Sequence, residues 1–150
     1  VRRAFLFIFV LVLLATACAG ATAEPVSSQA NDALLVIGNT PEKRYTVEDL
    51  KSLDAAQASF RDVIYVGVPL STLLRDAGFD PQTVKAVKAV AVDGFSANYD
   101  PGLANKADTL VAYARVDSSL ADDEGTFRMV LPDQEGKLNV RQLVEIQVIP

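Results

Sequence analysis

The sequence predicts an α+β domain built on a mixed or mostly antiparallel β-sheet with a few short helices. Two observations carry this reading. Strand-like and helix-like segments follow one another as β, α, β, α and then several β, with none of the regular βαβ alternation that feeds a parallel sheet. The 150-residue chain is also 50% hydrophobic and 22% charged, with Pro 7 and Gly 8, which suits one globular domain and excludes a low-complexity polymer.

Taken in order, Ala33-Leu34-Leu35-Val36-Ile37 is a continuous apolar run stopped by Gly38-Asn39, and it reads as a buried first strand. Thr46-Val47-Glu48-Asp49 is a capping pattern, with a hydroxyl for the orphan amides and two acids at the positive end of the helix dipole. A short helix to about Leu53 follows, with Val47, Leu50 and Leu53 on its core face. Phe60 to Val66 is rich in strand formers and reads as one strand. From Gly67 to Gly78 a Pro at the start, apolar residues at 70, 73, 74 and 77, and a terminal Gly define the clearest helix. After the Asp80-Pro81 turn, Val84 to Val92 reads as a strand, and Asp93-Gly94 turns it into Phe95 to Tyr99. Asp100-Pro101-Gly102 is a break. Thr109 to Val116 and Phe127 to Leu131 are strands around an acidic loop, Ser118 to Gly125, and Leu143 to Ile149 alternates as a closing strand.

Residues 1–23 read as an export signal. Val1-Arg2-Arg3 is basic, Ala4 to Ala15 is an apolar run of 12, and small residues follow to Ala23. That run is too short for a spanning helix of about 20 residues. Two processing routes stay open. Ala21-Thr22-Ala23 is a cleavage pattern that leaves Glu24 first; Ala15-Thr16-Ala17-Cys18 is similar to a bacterial lipobox, in which Cys18 becomes a lipid-modified terminus. Residues 24–32 form a polar linker and 33–150 the domain, so the expected location is the periplasm, free or as a membrane-anchored lipoprotein. Removal of 1–23 takes two cations and no acid, moving the net charge from −5 to −7. An acidic domain is a poor partner for nucleic acid and would meet a membrane only through a lipid.

The catalytic alphabet is short. With His 0 and Cys 1 there is no Ser/His or Cys/His pair, no HExxH helix, no internal disulfide and no zinc knuckle. Asp122-Asp123-Glu124 and Glu42-Lys43-Arg44 read as solvated charge runs. Asp93 and Asp100 occupy turn positions where Asp bonds its own backbone, and neither they nor Asp108 and Asp133 form an evident acid/base pair. Tyr65, Tyr99 and Tyr113 lie on strands and read as half-core. The loop Pro132 to Gln142 gathers Lys137, Asn139 and Arg141, three donors suited to a phosphate or carboxylate.

Several segments together resemble the molybdopterin-binding domain of sulfite-oxidase-type oxidoreductases, in particular short exported single-domain members. They are Thr46-Val47-Glu48-Asp49-Leu50 with Leu53; Gly67-Val68-Pro69-Leu70 with Leu73-Leu74 and Ala77-Gly78; Val92-Asp93-Gly94-Phe95; Leu110-Val111-Ala112-Tyr113; Phe127 to Pro132; and Val140-Arg141-Gln142-Leu143 running into Ile146. The resemblance, which spans about residue 33 to 149, implies a sulfite-oxidase-like α+β fold and a pterin-side cleft near the loop before the last strand. In full-size members that loop carries a Gly-aromatic-Lys-Ser-x-Lys run on the cofactor's phosphate. Here Gly136 matches the Gly, Asn139 stands in the Ser position, Arg141 keeps the second basic position and Leu138 replaces the first Lys. Full-size members also hold molybdenum through a Cys in a C-x-G-N context, a soft ligand suited to that metal. The corresponding stretch, Asp54 to Tyr65, has no Cys.

The expectation is therefore a non-catalytic exported domain, with no metal ligand and no cofactor, that binds a small anionic ligand or an envelope partner protein. Arg141 would supply a bidentate contact, Lys137 and Asn139 would assist beside Gly136, and Arg128 is a further candidate. The alternative is a molybdopterin-dependent oxidoreductase subunit that holds the pterin without a protein thiolate, which leaves molybdopterin open as a cofactor. A purely structural envelope module is the third reading.

Overall fold

The computed structural model describes residues 32–39 and 42–150. The expected export signal, Cys18 with its lipobox, and linker residues 24–31 lie outside the described residues.

Nine strands and three short helices make up an α+β fold. The first strand, β1 (Leu34–Ile37), is followed by β2 (Lys43–Tyr45), α1 (Val47–Lys51), β3 (Ala56–Phe60), β4 (Val63–Pro69) and α2 (Leu70–Asp76). Then come β5 (Ala86–Ala91), β6 (Ser96–Tyr99), α3 (Pro101–Ala104), β7 (Leu110–Arg115), β8 (Arg128–Val130), a 3-10 turn (Gly136–Leu138) and β9 (Leu143–Ile149). The strands form two sheets. One is mixed, in the order β2-β1-β9-β5-β6 with β1 parallel to β9; the other is antiparallel, in the order β3-β4-β7-β8.

Local chemistry explains the helices that the sequence indicated. Thr46 accepts from the Asp49 amide while the Asp49 carboxylate accepts from the Thr46 amide, so a reciprocal capping box starts α1. Pro69 precedes α2, which buries Leu70, Leu73 and Leu74, and Gly78 at φ +90° ends the segment. The Asp100-Pro101 pair does more than break the chain. Asp100 caps α3 by accepting from the Leu103 amide, and Pro101 takes the first helical position.

Two further expectations are corrected. The single strand read over Phe60 to Val66 is a hairpin, because Arg61 at φ 51° and Asp62 at φ 64° turn the chain between β3 and β4. A two-residue turn of that hand ordinarily uses Asn, Asp or Gly with Gly second, and Arg61-Asp62 lacks that signature. Lys43 and Arg44, read as solvated charges, are indeed exposed but form an edge strand, β2, whose Tyr45 is buried. Charged residues suit an edge because they discourage pairing with another chain.

The larger core packs the mixed sheet against the helices, through residues such as Leu34, Leu50, Leu73, Val87, Tyr99 and Ile146. A second cluster, Ala58, Tyr65, Leu110, Ala112 and Val130, lies on the other face of the antiparallel sheet, with Phe60 and Val63 partly buried against it. Adjacent residues of β7 therefore serve different cores, Val111 the first and Leu110 and Ala112 the second, as expected of a strand covered on both faces. Gly67 allows this close packing: a Cβ there would lie 2.3 Å from the Val111 carbonyl oxygen and 2.6 Å from the Ala112 Cα.

Candidate functional site

At the polar border of the second core, a cleft of about 630 Å³ opens beside the β3–β4 turn, β8 and the loop from β8 to β9. All five residues indicated by the sequence, Arg128, Gly136, Lys137, Asn139 and Arg141, line it. The fold thus brings them together, but it commits them differently. Asn139 is buried: its Oδ1 accepts from the Leu131 amide at 2.7 Å, and its Nδ2 donates to the carbonyls of Leu131 and Glu135. It pins the loop and has no donor left for a ligand. Lys137 is exposed and paired with Glu135 at 2.8 Å, and Arg141 is exposed and paired with Asp123. Gly136 opens the 3-10 turn, where a Cβ would come within 3.0 Å of the Arg61 Nη2.

The floor of the cleft is an ion cluster centred on Glu124. Asp122 and Asp123 are exposed, but Glu124 is only 3% exposed, which corrects the reading of this run as solvated throughout. Its Oε1 accepts from the Tyr65 hydroxyl at 2.7 Å and from Arg128 Nη1; its Oε2 accepts from Arg115 Nε and Nη2 at 3.0 and 2.8 Å and from the Ala121 amide at 2.8 Å. Burial would raise the carboxyl pKa, but the hydrogen bonds from Tyr65, the Ala121 amide, Arg115 and Arg128 override it and hold the value at about 2. The Tyr65 hydroxyl moves up, through burial and its bond to Glu124. At neutral pH the first group stays ionised and the second stays protonated, so the cluster is built to hold charge rather than to shuttle protons. Pairing of β4 with β7 sets Tyr65 opposite Arg115. That register is a long-range property, and no local pattern signals it.

Arg61, on the β3–β4 turn, completes the cleft. It is exposed and has no carboxylate partner among the described residues. Its guanidinium carbon lies 5.2 Å from the centre of the Phe60 ring, and that of Arg128 lies 5.7 Å from the same centre and 4.6 Å from that of Tyr65. The lining holds five cations, Arg61, Arg115, Arg128, Lys137 and Arg141, against three carboxylates, Asp123, Glu124 and Glu135. An acidic chain therefore concentrates a local positive surplus here, where desolvated walls strengthen its pull on an anion.

Comparison with known proteins bears on both the fold and the family. No curated protein matches the chain. Among solved structures, the fold is similar to that of the sulfane dehydrogenase SoxCD from Paracoccus pantotrophus, with a TM-score of 0.67 and 21% sequence identity. The similarity covers 78% of this chain and 38% of that one, so the chain spans well under half the length of this neighbour. The family model described as the oxidoreductase molybdopterin binding domain matches residues 14–150. The chain belongs to the oxidoreductase molybdopterin binding domain family.

Proposed function

We propose that this member of the family is an exported anion-binding domain, one that receives a small anionic ligand or the acidic group of an envelope partner, and that it does not carry a molybdenum centre of its own. The observation that carries this reading is the surplus of guanidinium groups around the cleft, with Arg61 at its rim unpaired among the described residues. A cluster of guanidinium donors, held without an imidazole beside them, favours binding over acid/base catalysis.

The donor set does not fit the metal that the family implies. The single cysteine of the sequence is Cys18, which lies outside the described residues, and there is no histidine. Among the described residues no group of three His, Cys, Asp or Glu side chains could hold a metal ion. The stretch corresponding to the metal-bearing loop of larger members, Asp54 to Tyr65, contains the tight Arg61-Asp62 turn and offers no thiolate, the soft ligand that suits that metal. The competing reading, an oxidoreductase subunit that binds the pterin without a thiolate, draws on the same cations and on the family match. Molybdenum and pterin analysis of protein purified from its native host, combined with anion titration of the same sample, separates the two. Saturable anion binding with no molybdenum supports the proposal, and near-stoichiometric molybdenum refutes it.

A further inference from the structure

Resting on that reading, the geometry points to the ligand class and to the contacts that select it: a monocarboxylate bound by Arg128 and Arg61, with its apolar end against Phe60 and Val63, and not by Arg141. Arg128 is 4% exposed, yet its guanidinium is not used up. Nε donates to the Met129 carbonyl, and Nη1 donates to the Tyr65 hydroxyl and to Glu124. Nη2 has no hydrogen-bond partner among the described residues. No buried side-chain nitrogen or oxygen of the described residues lacks a partner, so Nη2, unpartnered among them, keeps some access to the surface, and the surface that Arg128 lines is the cleft. A nearly buried guanidinium that keeps one donor nitrogen for the cleft is a preorganised anion contact, since the rest of the group is already fixed.

Charge and shape then narrow the class. Glu124 is shared by the partly exposed Arg115 and the buried Arg128, so the trio carries one uncompensated positive charge, which a single negative charge offsets. Glu124 itself, clasped by both guanidiniums and the Tyr65 hydroxyl, is a carboxylate already held by this set of donors. The guanidinium of Arg61 presents a planar edge that matches a planar carboxylate bidentately, with Arg128 Nη2 as a single further donor. Phe60 and Val63, both partly buried and both lining the cleft, supply apolar surface for a short tail. At the rim Arg61 has no carboxylate partner among the described residues, whereas Arg141 and Lys137 would each have to leave one.

The test is isothermal titration of the full chain with sodium butyrate, sodium acetate and sodium sulfate. Butyrate should bind saturably, more tightly than acetate and at least tenfold more tightly than sulfate. Arg61→Gln and Arg128→Lys should each weaken butyrate at least fivefold, and Arg141→Ala less than twofold. Arg61 is exposed, so Arg61→Gln decides the matter if the buried substitution fails to fold. Absence of butyrate binding, or sulfate binding as tightly as butyrate, overturns the inference. So does loss of butyrate binding in Arg141→Ala with retention in Arg61→Gln. If sulfate binds and Arg141→Ala abolishes it, the anion cleft survives and only this assignment falls. Molybdenum in the native protein removes the underlying reading as well.

Discussion

Glu124 and Arg128 form a buried ion pair across the short segment that links the acidic loop to β8, the carboxylate 3% and the guanidinium 4% exposed. Such a pair is expensive to desolvate and is tolerated only when its remaining donors and acceptors are also satisfied. Here Tyr65, Arg115 and the Ala121 amide complete the shell of Glu124.

Removing that carboxylate should therefore be costly. Glu124→Gln leaves two guanidiniums facing one neutral amide, and breaking a buried pair in this way costs about 3–5 kcal/mol. Urea denaturation at pH 7 measures it. A loss below about 1 kcal/mol would mean that the trio is far better hydrated than its burial implies.

The same group sets an acid response. Its folded pKa of about 2 lies below the ordinary carboxyl value of 4.5, so the folded state binds its proton more weakly than the unfolded chain does. The stability it contributes is complete above the unfolded value, falls as pH drops below about 4.5, and is gone once pH passes the folded value near 2. The amount at stake is about 3 kcal/mol. Urea midpoints followed from pH 7 to pH 2 should fall more steeply in the native sequence than in Glu124→Gln.

Asn139 and Arg141 should separate cleanly, although they sit two residues apart in one loop. Asn139→Ala strips the buried Leu131 amide of its acceptor and should cost about 1–3 kcal/mol in thermal or urea unfolding. Arg141→Ala breaks only an exposed pair with Asp123 and should stay within about 0.5 kcal/mol. Equal losses would contradict the division between a loop-pinning and a surface residue.

Gly67 should not tolerate a methyl group. The contacts that a Cβ would make are with the backbone of Val111 and Ala112, which cannot turn aside as a side chain can. Gly67→Ala should lose more than about 2 kcal/mol or fail to accumulate as folded protein. Thr46→Ala, which removes only the α1 cap, should lose about 1 kcal/mol. Circular dichroism melts of the two variants test the contrast.

The legible parts of the fold were those whose cause is local. The capping box at Thr46 and Asp49, the Pro69 to Gly78 helix and the Asp93-Gly94 hairpin each carry their own chemistry within a few residues. The Arg61-Asp62 turn was hidden because Arg disfavours the left-handed conformation it adopts and Asp62, which tolerates it, is not followed by the Gly that marks such turns. The division into two sheets, with β1 running parallel to β9 from the far end of the chain, depends on pairings that no neighbour in sequence predicts. At the cleft, side-chain type identified the right loop, and all five candidates line it. It could not tell that Asn139 is consumed by the Leu131 backbone, nor that Glu124 leaves an apparently solvated acidic run to become the hub of a buried cluster.

The account turns on whether this family member has a metal centre. Molybdenum and pterin content per chain, determined on protein purified from its native host, tests that directly. The cleft of guanidiniums without thiolate or imidazole predicts no molybdenum above background, and a value near one per chain would contradict it.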